Sequence, residues 1–335
     1  FSGSSKGVVS MIGAVVKIEG SIVSEESLLL EGVVNGSITA KQAEIRVGNS
    51  GTLTADIAAK PWIMGILSST PDSFYAGSRL NTPEAAAERA RAMLNSGARI
   101  IDIGGYSSRP GADAVTPEEE WNRLKDVIPA VSEVLQDYPG HFISVDTFRA
   151  EIADKALNAG AHWINDISGG NLDPEIYHVA AAHRCPYIIM HMQGNPSTMQ
   201  LNPTYTHVTQ DIIGFFSEKL PLLHEMGLHD TIVDVGFGFG KTLEQNYQLL
   251  RELNAFQLLG RPILTGVSRK SMIYKALEIS SEESLNGTTA LHMAALLGGT
   301  QILRVHDVAE AAETINLFNR LMPDGVQHLL QPWER

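Results

Sequence analysis

One cysteine stands in the 335 residues, Cys185, so no internal disulfide framework can form and the fold has to rest on a packed core. That usage fits a reducing compartment, and a cytoplasmic protein is the expectation. No apolar run reaches membrane-spanning length, and the amino end has no apolar stretch of the signal-peptide kind. Basic residues are scarce: 25 Lys and Arg face 38 Asp and Glu, for a formal net charge of -13. Such a surface excludes a nucleic-acid partner or an anionic membrane partner, and leaves open a small anionic substrate held by a few local cations. Hydrophobic residues make up 44% of the chain, enough for one large domain plus an extra segment. The opening Phe1-Ser2-Gly3-Ser4-Ser5 carries no initiator methionine, and residues 1–11 read as a disordered tail or the remnant of a larger piece.

Residues 12–59 alternate apolar and polar positions in short stretches broken by glycine. Val16, Ile18 and Ile22 form one set, Leu28, Leu30, Val34 and Ile38 a second, and Ile45, Val47, Leu53 and Ile57 a third. Gly20-Ser21-Ile22, Gly36-Ser37-Ile38 and Ala55-Asp56-Ile57 fall at matching points of successive units. Period-two alternation repeated at a near-constant interval is the pattern of a β-solenoid, with a small β-meander as the alternative. The segment resembles the first rungs of bactofilin, a polymerising β-helix, which implies possible self-assembly through this piece. Three rungs are few for a solenoid, so the piece looks truncated.

At Lys60-Pro61 the pattern changes. Trp62 to Leu67 is a continuous apolar run suited to a strand buried on both faces. Strand-like stretches follow at Ala98 to Gly105, His141 to Thr147, His162 to Ser168, Pro186 to Met192, Thr231 to Val235, Pro262 to Ser268 and Gln301 to His306. Helical stretches lie between them, from Thr82 to Ser96, Thr116 to Val134 and Arg149 to Ala159 through to Val308 to Leu321. Thr82-Pro83 and Thr116-Pro117 mark two of the helix starts. Eight strand-helix units over roughly 260 residues make the count of a (β/α)8 TIM barrel, an α/β fold whose active face lies at the carboxyl ends of the strands. The expected domains are therefore a β-solenoid-like segment at 12–59, a barrel at 60–325 and a carboxyl-terminal tail at 326–335.

The densest stretch is Thr231-Ile232-Val233-Asp234-Val235-Gly236-Phe237-Gly238-Phe239-Gly240-Lys241-Thr242, an apolar strand ending in a carboxylate, then alternating glycines, then a helix start. A P-loop would need glycine at Val235, and a dinucleotide fingerprint would need glycine at Lys241, so neither applies. Polar residues close every other strand as well. Thr70-Pro71-Asp72-Ser73-Phe74 follows the first, while Asp102 and the stretch Gly104 to Gly111 end the second. Asp146, Asn165-Asp166 and His191 close the third, fourth and fifth; Ser268-Arg269-Lys270-Ser271 and Arg304-Val305-His306-Asp307 end the seventh and eighth.

From Pro61 to about Leu321 these motifs, with Met64-Gly65-Ile66-Leu67, Ser107-Ser108-Arg109-Pro110-Gly111-Ala112 and Ser144-Val145-Asp146-Thr147, resemble the dihydropteroate synthase family. The resemblance implies transfer of a pterin-methyl group to the amine of p-aminobenzoate, with Mg2+ as cofactor, a homodimer, and a target for sulfonamides. It implies Asp102, Asp146, Asn165, Asp234 and Lys270 around the pterin, and Ser108, Arg109, Arg304 and His306 around the pyrophosphate. Phe239, Lys270 and Ser271 would take p-aminobenzoate, Asp146, Lys270, Arg304 and His306 would be catalytic, and the loops from Leu67 to Leu80 and Gly104 to Val115 would act as lids. Four positions depart from the family. Ser68-Ser69 replaces Asn-Val, which makes Ser68 a weak metal ligand that acts through water; Tyr106 stands for glutamate, Ser108 for threonine and Val235 for proline. A pterin-binding methyltransferase barrel is the alternative enzyme, and a polymerising scaffold carrying an inactive barrel is the non-catalytic one.

Overall fold

Short alternating strands cannot bury a face alone, and in the amino-terminal unit they pair in parallel from one repeat to the next. The computed structural model describes residues 9–12, 16–24, 27–30, 33–40, 45–47, 52–58, 60–69, 82–107, 115–194, 199 and 203–322. The chain divides into two compact units, residues 1–60 with 319–335 and residues 61–318. In the first unit, β1 (Val9–Ile12), β3 (Ser27–Leu30) and β5 (Ile45–Val47) form one parallel sheet; β2 (Lys17–Ser24), β4 (Val33–Ala40) and β6 (Thr52–Ala58) form another. Gly20 pairs with Gly36 and Gly36 with Ala55; Ile22 pairs with Ile38 and Ile38 with Ile57. Strands that alternate between two parallel sheets follow the course of a solenoid, and the repeated triplets sit side by side.

In the second unit eight parallel strands close into a barrel. They are β7 (Trp62–Ser68), β8 (Ile100–Gly104), β9 (Phe142–Asp146), β10 (Trp163–Asp166), β11 (Tyr187–Met190), β12 (Thr231–Asp234), β13 (Ile263–Thr265) and β14 (Ile302–Val305). Between them run α1 (Pro83–Asn95), α2 (Pro117–Leu124), α3 (Val127–Leu135), α4 (Ala150–Asn158), α5 (Glu175–His183), α6 (Val208–Glu225), α7 (Leu243–Arg251), α8 (Ser271–Leu277) and α9 (Leu285–Leu297). A 3-10 helix covers Leu253–Leu259, and α10 (Val308–Leu321) follows the last strand. No helix among the described residues is long and apolar enough to cross a membrane.

The helix starts follow their residues. Thr82 and Thr116 each accept a hydrogen bond from the amide three residues on, at 3.2 Å, with proline next in line. Thr242 and Gln245 form a reciprocal capping box at the head of α7. One expectation is corrected. The stretch from Thr116 to Val134 is two helices, because Pro129 has no amide to donate into a preceding turn and is tolerated only in the first turn of a new helix, α3. At the floor of the barrel the rings of Trp62 and Phe142 stack, and that of Trp163 is tilted against both, with centroids 5.6–6.2 Å apart.

Candidate active site

Side chains two residues apart on a strand share a face. Ile100, Trp163, Ile232 and Ile302 belong to one apolar cluster inside the barrel. Two residues further along the same strands stand Asp102, Asn165, Asp234 and Arg304, one layer nearer the carboxyl ends. Asp146 closes β9 beside them, in register with Asn165 on one side and Gly104 on the other. Strand alternation alone therefore carries five polar groups to one level.

Arg304 ties that layer together. Its Nε donates to Asp102 Oδ2 at 2.7 Å, and an Nη donates to Asp146 Oδ2 at 2.6 Å. Asn165 Nδ2 donates to the same Asp102 oxygen at 3.0 Å. The other oxygen of Asp102 is buried with no hydrogen-bond partner among the described residues. A buried acceptor in that state suits a ligand edge that brings N–H donors. Burial pushes the Asp146 carboxyl up to about 7, against the pull of Arg304 and with a further push from Asp102. Burial also raises Asp234, offset by Lys270 and by the Gly236 amide that donates to its Oδ1 at 2.8 Å. For Arg304 burial works against the charge, but Asp102 and Asp146 outweigh it and hold the guanidinium above its usual value.

The second wall is cationic and aromatic. Lys270 Nζ donates to the Phe237 carbonyl at 2.6 Å and lies 4.7 Å from the centre of the Phe239 ring. Burial pulls this amine down to about 8, with Asp234 opposing. Phe239 packs, together with Phe148, against the apolar group of Ile167, Met190, Met192 and Met199. The loop is folded tightly: at Gly236 the backbone is left-handed, and a Cβ there would stand 2.0 Å from the His191 carbonyl oxygen. A flat ring with an anionic tail fits such a wall.

Oxygen donors at the end of β7 are few. Ser69 Oγ is committed to the Arg123 carbonyl at 3.0 Å, which among the described residues at this strand end leaves the neutral hydroxyl of Ser68. Among the described residues no three carboxylate, histidine or cysteine groups converge as a metal site would require. These residues alone do not fit a Mg2+ ion.

A family model for pterin-binding enzymes matches residues 64–306. The dihydropteroate synthase of Synechocystis sp. is 44% identical over 274 residues, which span 81% of this chain and 93% of that protein. The chain belongs to the dihydropteroate synthase family. A crystal structure of the Yersinia pestis dihydropteroate synthase in a sulfonamide drug complex superposes with a TM-score of 0.75 at 38% identity, covering 79% of this chain and 95% of that one. The Xanthomonas albilineans dihydropteroate synthase, solved with 4-aminobenzoic acid, gives 0.71 at 35% identity over 78% and 93%. With the family comes the class of chemistry: the protein is a transferase of folate biosynthesis.

Most residues expected for a dihydropteroate synthase meet at the strand ends, but not all in the same company. Asp102, Asp146, Asn165 and Arg304 are directly linked, with Asp234 and Lys270 alongside. His306 meets Ser268, whose Oγ lies 3.1 Å from Nδ1 and accepts from the His306 amide at 3.2 Å. Ser271 opens α8 directly after Lys270. Arg269, inside the same motif, serves the frame of the barrel and grips Asp307 with two bonds of 2.8 and 2.9 Å. Ser108, Arg109 and the stretch from Thr70 to Leu80 lie outside the described residues, as does most of the second loop. The family model starts at residue 64, so the bactofilin likeness of the amino-terminal strands rests on their sequence alone.

Sequence reasoning passed over three residues of this site's frame. Lys241 is buried under the glycine loop, and Glu120 and Arg149 are joined beneath the second strand end. A lone lysine after a glycine run and a lone glutamate in an acidic helix start carry no local signal of burial.

Proposed function

We propose that the chain joins p-aminobenzoate to 6-hydroxymethyl-7,8-dihydropterin pyrophosphate, giving 7,8-dihydropteroate and pyrophosphate. The observation that carries this reading is the single layer in which Asp102, Asn165, Asp146 and Arg304 bond to one another beside Asp234 and Lys270. The unpartnered Asp102 oxygen, Asn165 and Asp234 read the N–H edge of the pterin. The C–O bond to pyrophosphate breaks with its electron pair leaving on oxygen. The arylamine nitrogen then forms the new C–N bond and gives up one proton to the departing group. An ionised Asp146 favours the cationic methylene that exists only near the transition state. Arg304, His306 and, from the second loop, Ser108 and Arg109 attract the leaving anion. Phe239 and Ser271 flank the arylamine ring, and Lys270 meets its carboxylate. Formation of 7,8-dihydropteroate matched one for one by pyrophosphate when both substrates are present tests the reading, and pyrophosphate release with no dihydropteroate formed would sink it. Homodimerisation through the barrel and polymerisation through the amino-terminal ladder go with the reading, and sedimentation of the full chain checks both.

Lys270 gives a pH signature. An amine lowered to about 8 is charged below that pH and neutral above it, so attraction for a carboxylate fades as pH rises through 8. The kcat/KM for p-aminobenzoate should fall on the alkaline side near pH 8, since it reports groups of the free enzyme. Lys270→Arg keeps a cation at all these pH values and should remove that limb. A limb that persists in Lys270→Arg assigns it to another group.

We also propose that Mg2+ arrives chiefly with the pyrophosphate oxygens and water, and that Ser68 reaches it only through a water molecule. Ser68→Asn adds a longer carboxamide oxygen. By calorimetry the substitution should lower the Mg2+ concentration needed for pyrophosphate binding, with pterin affinity within twofold of the parent. An unchanged Mg2+ dependence takes position 68 out of the metal's surroundings.

A further inference from the structure

Lys241 is 3% exposed, and its side chain turns back under the loop it terminates. Its Nζ lies 2.8 Å from the Gly236 carbonyl oxygen, 3.0 Å from that of Phe239 and 3.4 Å from that of His191. The fourth neighbour is His191 Nδ1 at 3.2 Å. No carboxylate is bonded to this amine among the described residues. Burial draws it down to about 7, while Asp234 favours the charge and Lys270 opposes it. Charged or neutral, the amine keeps at least two N–H donors for the Gly236 and Phe239 carbonyls.

The reason for an amine there is the backbone. Gly236, Gly238 and Gly240 take φ of 72°, 81° and 61°, and these left-handed turns bring carbonyls inward: that of Gly236 accepts from the Phe239 amide at 3.1 Å, while those of Phe239 and His191 meet no backbone amide among the described residues. An apolar residue at 241 would leave the Phe239 and His191 oxygens without this donor. The other side of the same loop faces the substrates: the Phe237 carbonyl holds Lys270 Nζ and the Phe239 ring lies against it. Asp234 is held chiefly by its strand, in register with Met190 on β11 and Leu264 on β13, and meets the loop through the Gly236 amide that donates to its Oδ1. The pterin half of the site thus rests mainly on strands, and the arylamine half mainly on the loop.

We propose that Lys241 is a positioning residue for the arylamine: it gathers the carbonyls of Gly236, Phe239 and His191 to one point and so fixes the loop that presents Phe239 and Lys270. The assignment rests on the synthase reading and deepens it. Lys241→Met removes every donor at nearly the same length, and Lys241→Gln keeps two N–H groups. In Lys241→Met the KM for p-aminobenzoate should rise at least tenfold, while the dissociation constant of the pterin pyrophosphate, by calorimetry, stays within threefold. Lys241→Gln should fall between the parent and Lys241→Met. A merely structural role would weaken both ligands together, so equal losses overturn the assignment, as does an unchanged arylamine KM. Should Lys241→Met not fold, the ratio of the two effects is read from Lys241→Gln, where a rise of at least threefold confined to the arylamine is expected and its absence overturns the assignment. A parent protein that binds the pterin pyrophosphate but neither binds nor consumes p-aminobenzoate overturns the synthase reading itself, whereas a normal parent with evenly weakened variants removes only Lys241.

Discussion

Replacing Arg304 with alanine is expected to lower kcat/KM by at least about a hundredfold, the scale of losing one preorganised donor from a developing charge. Two effects add. The guanidinium spans Asp102 and Asp146, and without it two carboxylates share a buried site with no cation bonded between them. On the reading proposed above, the anion leaving from the pterin also loses an arginine that attracts it. The sign of the pH effect follows from Asp146. Its carboxyl already sits near 7 because burial outweighs Arg304, so removing Arg304 moves it higher and leaves it protonated at neutral pH. The acid limb of kcat/KM should therefore shift to higher pH in Arg304→Ala and disappear in Asp146→Asn. Arg304→Lys should recover little, because one ammonium cannot span two carboxylates as the planar guanidinium does. An acid limb that stays in place in Arg304→Ala would separate Asp146 from the chemistry.

Arg149→Ala is expected to be among the most damaging substitutions for stability, although Arg149 lies outside the bonded substrate layer. Glu120 is fully buried, accepts from Thr147 Oγ1 at 2.7 Å and is ion-paired with Arg149. A second Nη of Arg149 donates to the Val115 carbonyl at 2.6 Å, and the guanidinium lies 4.9 Å from the Phe148 ring and 5.4 Å from that of Tyr106. Burial raises the Glu120 carboxyl, held back by Thr147 and Arg149. Removing the arginine strands a buried carboxylate, at a cost of about 3–5 kcal/mol. At about 2–4 °C per kcal/mol for a domain of this size, Tm should fall by roughly 6–20 °C. A carboxyl whose folded pKa is raised is destabilising once ionised, and the penalty fades as pH falls through that pKa. The loss should thus be smaller at pH 5 than at pH 8, and Glu120→Gln in the same chain should recover part of it. A loss below about 1 kcal/mol at both pH values would mean that water reaches Glu120.

The architecture was legible because it is written in local patterns. Eight apolar runs ending in polar residues placed Asp102, Asp146, Asn165 and Asp234 at strand ends, and the threonine-proline pairs fixed two helix starts. What escaped depends on partners far along the chain. Lys241 meets His191 from 50 residues away, and Arg149 meets Glu120 from 29. Neither residue differs locally from a solvated surface charge. Arg304 and His306 sit two apart on one motif and read as one anion clamp, yet Arg304 bonds to Asp102 and Asp146 while His306 meets Ser268. Which neighbour each one finds depends on the closure of the barrel. The break between α2 and α3 was written in Pro129, and a longer periodic run masked it.

The packed rings at the barrel floor give this protein an optical handle on its own assembly. Trp62 enters on the first barrel strand and Trp163 on the fourth, so their indoles meet Phe142 only once distant parts of the chain have come together. Indole emission is sensitive to such neighbours, and this pair lies on the opposite end of the strands from the substrate layer. With Trp121 and Trp333 each replaced by phenylalanine, the Trp62 and Trp163 signal in a denaturant titration should therefore report ring closure, separately from ligand occupancy. Local rearrangement at the strand ends, by contrast, should leave that emission almost unchanged.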